Sequence, residues 1–368
     1  STLFPYTTLF RSMAYCPITN LENADMAYEW MFQSANAYYG GSAAGNGSPN
    51  MQKPPSNEEI RKGRPLNAPI EKSTGTVITP GQKEISGKLS EKFAEYLNSL
   101  NLRDSIGNRL NLSPDGLGLF REYIESLYLT SAQAALDSGE NLKNAPWITI
   151  SNGMAVHMDF PKYVKTVKRL KGIPAFDAFD MSTGENNEFG ANEIANKHFT
   201  RFALENSNFV TIPTLEEEAE TRKEKAALYR LATPIEKVKL QKANLEEQME
   251  KDKLDLSQYM ADGNIVRMMN PMRFIGLEEI QVAPNWRIRH GALDRDTAIA
   301  IPAMLAIKLK NNHKSVDFRV PWGIGHAGDY DLPDLFAWAD RIAKIKDRTS
   351  IILNTEKKTT KEDSGEKE

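Results

Sequence analysis

Two short stretches decide how this chain is read: Trp286–Thr297 (WRIRHGALDRDT) and Val320–Asp331 (VPWGIGHAGDYD). The first continues an apolar run over Val282–Gly291. The second closes Ser315–Trp322, where Val316, Phe318 and Val320 alternate with the period of a strand. Between them, Thr297–Lys310 presents Ile299, Ile301, Met304, Leu305 and Ile307 as one strongly apolar helix face. A second helix is predicted over Leu332–Lys346, with Leu335, Phe336 and Trp338 on its buried side. Strand, helix, strand, helix is the pattern of a parallel sheet with crossover helices, so the fold class is α/β. A helix of about 14 residues advances roughly 21 Å, and a strand of about seven residues runs roughly 23 Å back. The crossover therefore returns the chain to the same sheet edge. Both quoted loops then sit at the carboxyl ends of adjacent parallel strands, where open α/β sheets place their sites.

An acid followed by a histidine on neighbouring loops, Asp294 and then His326, fits the order Ser, Asp, His of α/β-hydrolases. The carboxylate would hold the imidazole tautomer, and the imidazole would take and return the proton of an attacking hydroxyl. A plainer account also fits. Asp in a strand-to-helix loop is commonly an N-cap, and His among glycines is commonly only a loop residue. Asp296 is the better-placed cap for a helix starting at Thr297, which leaves Asp294 to orient a histidine. His290 lies within the strand-end motif and is expected to make a structural hydrogen bond. His157 and His198 have no acid at a telling spacing. No HExxH or paired-histidine cluster argues for a metal.

Upstream, the chain changes character. Ala14–Thr19 (AYCPIT) reads as the end of a buried strand, with Cys16 as inert core, and Asn20–Ala37 reads as a helix. Gly40–Ser56 is rich in Gly, Ser, Asn and Pro and reads as a loop. From there to about Asn270 the chain is mostly helical and polar. Apolar residues recur at three- and four-residue spacing in Ser90–Leu102 and Leu119–Leu136, and Asp159–Leu170 and Ala191–Glu205 look similar. Leu215–Lys253 is densely charged and reads as a solvated helical hairpin. The organisation expected is a partial α/β core over 13–40 and 281–350, a helical insertion over 41–280, and a disordered charged tail over 351–368. Residues 1–12 (STLFPYTTLFRS) resemble translated adapter sequence and are read as non-native.

Composition narrows the function classes. The chain has 368 residues, a formal net charge of -3 and one cysteine. That charge offers no electrostatic reason for nucleic acid or an anionic membrane as partner, and one cysteine excludes an internal disulfide framework. No apolar run reaches the roughly 18 to 20 residues of a membrane span.

Four segments are similar to bacterial tannases: AYCPITNLENADMAYEW, RLKGIPAFDAFDMSTGENNEFG, WRIRHGALDRDT and WGIGHAGDYDLPDLFAW. Tannases are α/β-hydrolases with a large insertion acting as a lid, and the resemblance runs from about Ala14 to Lys346. It implies a serine esterase that cleaves galloyl esters through an acyl-enzyme, with a small aromatic ester as partner and no cofactor. By motif, it implies Asp294 and His326 as the triad acid and base, and Lys171, Glu185 and Asp296 as groups that bind the galloyl ring. Without the resemblance, Lys171 is one of several cations at a basic helix end, where the helix dipole explains it. Glu185 is a loop acid and Asp296 a cap.

No serine sits in a G-x-S-x-G turn. Ser42 (GGSAA) lacks the second glycine, and Thr149 stands where Ser151 (ISNGM) would need the first. The expectation is that the nucleophile and oxyanion hole lie upstream of AYCPIT and that the chain as given is inactive. Two other readings stand beside this one. A feruloyl- or protocatechuate-type esterase would alter Lys171, Glu185 or Asp296. A helical scaffold protein would not bring Asp294 to His326.

Overall fold

The computed structural model of the chain describes residues 11–40, 75–189, 196–207, 223, 259–328 and 330–343. Apart from Gly40 and Lys223, the expected loop after Gly40, the charged hairpin Leu215–Lys253 and the tail beyond Leu353 lie outside these residues. In chain order, the first elements are β1 (Arg11–Tyr15), α1 (Ala24–Phe32), the two-residue strands β2 (Ala37–Tyr38) and β3 (Thr76–Val77), and α2 (Pro80–Ser99). Then come α3 (Leu119–Asp137), β4 (Ile148–Ser151), β5 (Met154–Met158), α4 (Phe160–Val167), α5 (Gly184–Glu188), α6 (Arg201–Glu205) and α7 (Gly263–Met268). The C-terminal module is β6 (Asn285–Arg289), α8 (Ala300–Asn311), β7 (Ser315–Arg319) and α9 over 332–343.

Three of these strands form the parallel sheet that the alternating pattern predicts, in the order β1–β6–β7. The quoted loops leave the carboxyl ends of β6 and β7, neighbours in that sheet. α8 is apolar on nearly every side and is buried almost throughout, as an all-round hydrophobic helix must be. Its Leu305, Ala306 and Leu309 pack with Ile288 of β6. On β1, Arg11 and Ser12 pair in register with Asn285 and Trp286, so the strand begins inside the stretch read as foreign. The strand also stops earlier than the sequence suggests. Cys16 has φ 42°, a left-handed conformation that ends the extended run.

The block before β6 departs from the helical reading in more than one place: β3 pairs antiparallel with β2, and residues 196–200, inside the helix expected over Ala191–Glu205, are not helical. β4 and β5 form an antiparallel hairpin around Asn152 and Gly153, both with positive φ. An Asn-Gly pair between two strand-forming runs is the local signal for such a turn.

α1 ties this block to the sheet. Eight of its nine residues are buried, including Asp25 and Glu29 one turn apart on the same face. Asp25 accepts hydrogen bonds from the amides of Ala175, Phe176 and Asp177 at 2.7 to 3.0 Å. Glu29 grips the guanidinium of Arg169 with both oxygens, at 2.5 and 2.6 Å, and neither partner is more than 1% exposed. Arg169 in turn donates to the carbonyls of Lys171 and Gly172. Stranding either charge in such an interior costs about 3–5 kcal/mol. Glu29→Ala is therefore expected to lower the free energy of unfolding by that amount, read by urea denaturation of the folded protein. A loss below about 1 kcal/mol, the level of an exposed pair, would contradict this packing.

Candidate active site

Asp294 and His326 meet. The Nδ1 of His326 lies 2.9 Å from Oδ2 of Asp294. The acid is fully buried, whereas the imidazole side chain is 42% exposed. One partner is sealed from water, and the other is open to exchange a proton. The turn after β6 builds the acid's setting: Oδ1 of Asp294 accepts from the amides of Asp296 and Thr297 at 2.8 and 3.2 Å. Asp294, not Asp296, is thus the residue that caps this turn. α8 starts later than the sequence suggests, at Ala300, with no side-chain cap.

These contacts set the electrostatics. Burial pushes the Asp294 carboxyl up, but the field of His290 and the hydrogen bond from His326 outweigh it and hold the carboxyl at about 2. The hydrogen bond it donates to Asp294 raises His326 above the ordinary imidazole range, so an imidazolium formed there is stabilised. For stability, the signs are opposite. The depressed acid contributes above its unfolded pKa, and that contribution is lost as pH falls through about 2. The raised histidine contributes below its unfolded pKa and loses that contribution as pH rises through the folded value.

The three ring-binding candidates gather close by. Lys171 Nζ is 3.2 Å from Glu185 Oε1 and stands over the ring of Phe176, 4.4 Å from its centroid. Asp296 places a carboxylate oxygen within 4.8 Å of ligand atoms of both Asp294 and His326. Burial raises the Asp296 carboxyl and Asp294 pushes it further, while His326, Lys171 and Arg295 pull it down. Lys171 lies beyond the end of α4, in the loop that Arg169 and Asp25 pin, so the helix-dipole explanation does not hold for it.

The phenol of Tyr28 joins the two halves of the site. It donates to the carbonyl of Arg295 at 2.7 Å and accepts from the amides of Leu170 and Lys171 at 3.3 and 3.2 Å. One buried hydroxyl therefore locks the lysine loop to the aspartate loop. Tyr163, on α4, adds a second tie by donating to the carbonyl of Ala292 at 3.0 Å. Glu185 sits in α5, which Thr183 and Asn186 cap reciprocally. Asn186 donates to buried Asp177, which also accepts from His198 at 2.7 Å. His198 thus has an acid partner, 21 residues away in sequence.

Among the described residues, His290 has no hydrogen-bond partner at either ring nitrogen, contrary to the structural bond expected of it. Cys16 is buried, as expected of core, but its Sγ faces the dyad loop and lies 3.6 Å from the carbonyl of Ala327. A cleft of about 460 Å³ lies between Leu127 and Ala134 of α3 and Trp322, Ile324 and Tyr330; neither Asp294 nor His326 lines it.

No family model matches the sequence, and no curated protein matches it. Solved structures do. Tannase from Lactobacillus plantarum in the orthorhombic crystal superposes with a TM-score of 0.68 at 33% identity, covering 90% of this chain and 58% of that one. The chain is tannase-like. Fusobacterium nucleatum tannase gives a TM-score of 0.65 at 36% identity, over 90% of this chain and 59% of its own. A tannin acyl hydrolase in complex with ethyl gallate gives 0.66 at 32% identity, over 90% and 56%. The chain thus spans less than three fifths of the length of these tannases. The likeness supports an α/β-hydrolase-like fold around the parallel sheet. Among the described residues, no helix is long and apolar enough to cross a membrane.

Proposed function

We propose that the tannase-like chain supplies the acid and base of a serine-type galloyl ester hydrolase, with Asp294 orienting His326. The observation that carries this is the 2.9 Å contact between a sealed carboxylate and a half-exposed imidazole on adjacent strand ends. Its Nδ1 engaged by Asp294, His326 is left with Nε2 to take the proton of an attacking serine. The serine oxygen adds to the ester carbonyl, and collapse of the tetrahedral intermediate expels the alcohol, which takes the proton from His326. Water then repeats the cycle on the acyl-enzyme and releases gallate.

Lys171, Glu185 and Asp296 are the groups we assign to the galloyl ring. An ammonium can donate to phenolic oxygens, while two carboxylates accept from phenol hydroxyls. The helical block over 41–280 is assigned as a lid, because Tyr28 and Tyr163 dock it onto the loop that carries Asp294. The ethyl gallate held by a similar enzyme fits this substrate class.

The nucleophile is assigned to sequence outside these 368 residues, since no serine here stands in a G-x-S-x-G turn. Among the described residues, none pairs with the outer edge of β1, where a further parallel strand would lie. The chain alone is expected to leave methyl gallate unhydrolysed, and joining it to a strand-turn-helix unit that carries the serine is expected to give turnover. Gallate release followed by liquid chromatography checks both. Turnover by the chain alone that His326→Ala abolishes would overturn the assignment of the nucleophile to sequence outside it.

A further inference from the structure

The sulfur of Cys16, a ring nitrogen of His290 and a carboxylate oxygen of Asp294 lie within 4.8 Å of one another. The three residues are at most 5% exposed. They come from the carboxyl ends of β1 and β6, two neighbouring parallel strands. His290 is fully buried, yet among the described residues neither ring nitrogen has a hydrogen-bond partner. Buried polar atoms are seldom left so, because the cost is not recovered elsewhere. Its Nδ1 stands 3.6 Å from Oδ2 of Asp294, beyond hydrogen-bond reach. That gap is close to the separation of two ligands at about 2.0–2.2 Å from one tetrahedral ion. Cys16, meanwhile, is held at φ 42°, a conformation unfavourable to a side-chain-bearing residue, by a hydrogen bond of 2.7 Å that its amide donates to the Arg289 carbonyl.

We propose that Cys16, His290 and Asp294 bind a zinc-like divalent cation that competes with His326 for Asp294. A thiolate, an imidazole and a carboxylate form the donor set of a borderline-soft metal, whereas the sulfur argues against magnesium or calcium. The thiol releases its proton to solvent on binding. The competition follows from the carboxylate's two oxygens. Oδ1 is held by the amides of Asp296 and Thr297, so Oδ2, which faces His290, is the ligand atom. Oδ2 is also the atom that His326 holds at 2.9 Å. A metal-bound oxygen gives up electron density to the cation and is a poorer acceptor for His326, so metal and imidazole compete for it. The inference rests on this geometry and stands whether or not galloyl esters are the substrate.

Cobalt(II) added to the metal-free, reduced full chain tests it, with absorbance read for a thiolate-to-cobalt charge-transfer band. Cys16 is the only cysteine, so such a band has a single source. The band should saturate at one equivalent, collapse on adding zinc, and vanish in Cys16→Ala. His290→Gln should weaken binding at least tenfold, and His326→Ala should tighten it because the competing imidazole is gone. In parallel, zinc should slow alkylation of Cys16 by iodoacetamide at least tenfold. Absence of both the band and the protection overturns the site. A band unchanged by His290→Gln places the thiolate's metal elsewhere and overturns it equally. Binding unaffected or weakened by His326→Ala overturns the competition.

Discussion

Asp294→Asn is expected to lower kcat on methyl gallate about 10⁴-fold with little change in KM, in a polypeptide that joins this chain to its nucleophile. The amide keeps the shape and can still accept from the Asp296 and Thr297 amides through its oxygen. Its NH2, standing where Oδ2 was, donates only, so it cannot accept the Nδ1 proton of His326 or stabilise a positive ring. The imidazole is then left in the wrong tautomer, and the loss falls on the chemical step. A change confined to KM would place Asp294 in binding instead. Steady-state kinetics on the two proteins separates these outcomes.

The second large effect concerns selectivity. A site built to pair with phenol hydroxyls rejects a ring lacking them by about 10⁴–10⁵, because its buried polar groups would go unsatisfied. Methyl gallate should therefore exceed methyl benzoate by that ratio in kcat/KM. Lys171 and Glu185 already satisfy each other at 3.2 Å, so a bare ring must break that pair or leave it unused. In Lys171→Met the ratio should fall by at least tenfold, almost wholly through slower use of methyl gallate. A ratio that stays unchanged in Lys171→Met, Glu185→Gln and Asp296→Asn would remove the galloyl assignment while leaving the dyad intact.

The parts of the fold that were legible in the sequence are those with a local period. The alternation of Val316, Phe318 and Val320, and the apolar face of α8, require a strand and a helix and so place both loops at one sheet edge. That placement puts Asp294 and His326 on neighbouring loops, and the resemblance to tannases singles them out as the candidate acid and base. The parts that were not legible depend on contacts between distant residues. Asp25 and Glu29 stand out only as charges in an otherwise apolar helix, and nothing local says that they hold a loop some 140 to 150 residues away. The Tyr28 phenol and the Asp177–His198 pair are of the same kind. The choice between Asp294 and Asp296 as turn cap failed for a different reason: helix N-termini are poorly fixed by sequence, and this helix begins three residues after Thr297. The Asn152–Gly153 hairpin carried a usable turn signal that the surrounding helical pattern obscured.

The central claim is that His326, held by Asp294, is the base of an ester hydrolase. The most direct measurement is kcat for methyl gallate in the serine-containing polypeptide, before and after His326→Ala, with circular dichroism confirming that both are folded. The account predicts clear turnover in the first and a loss of about 10⁶-fold in the second, the scale seen when a triad histidine is removed. Turnover within tenfold of the parent after His326→Ala would contradict it.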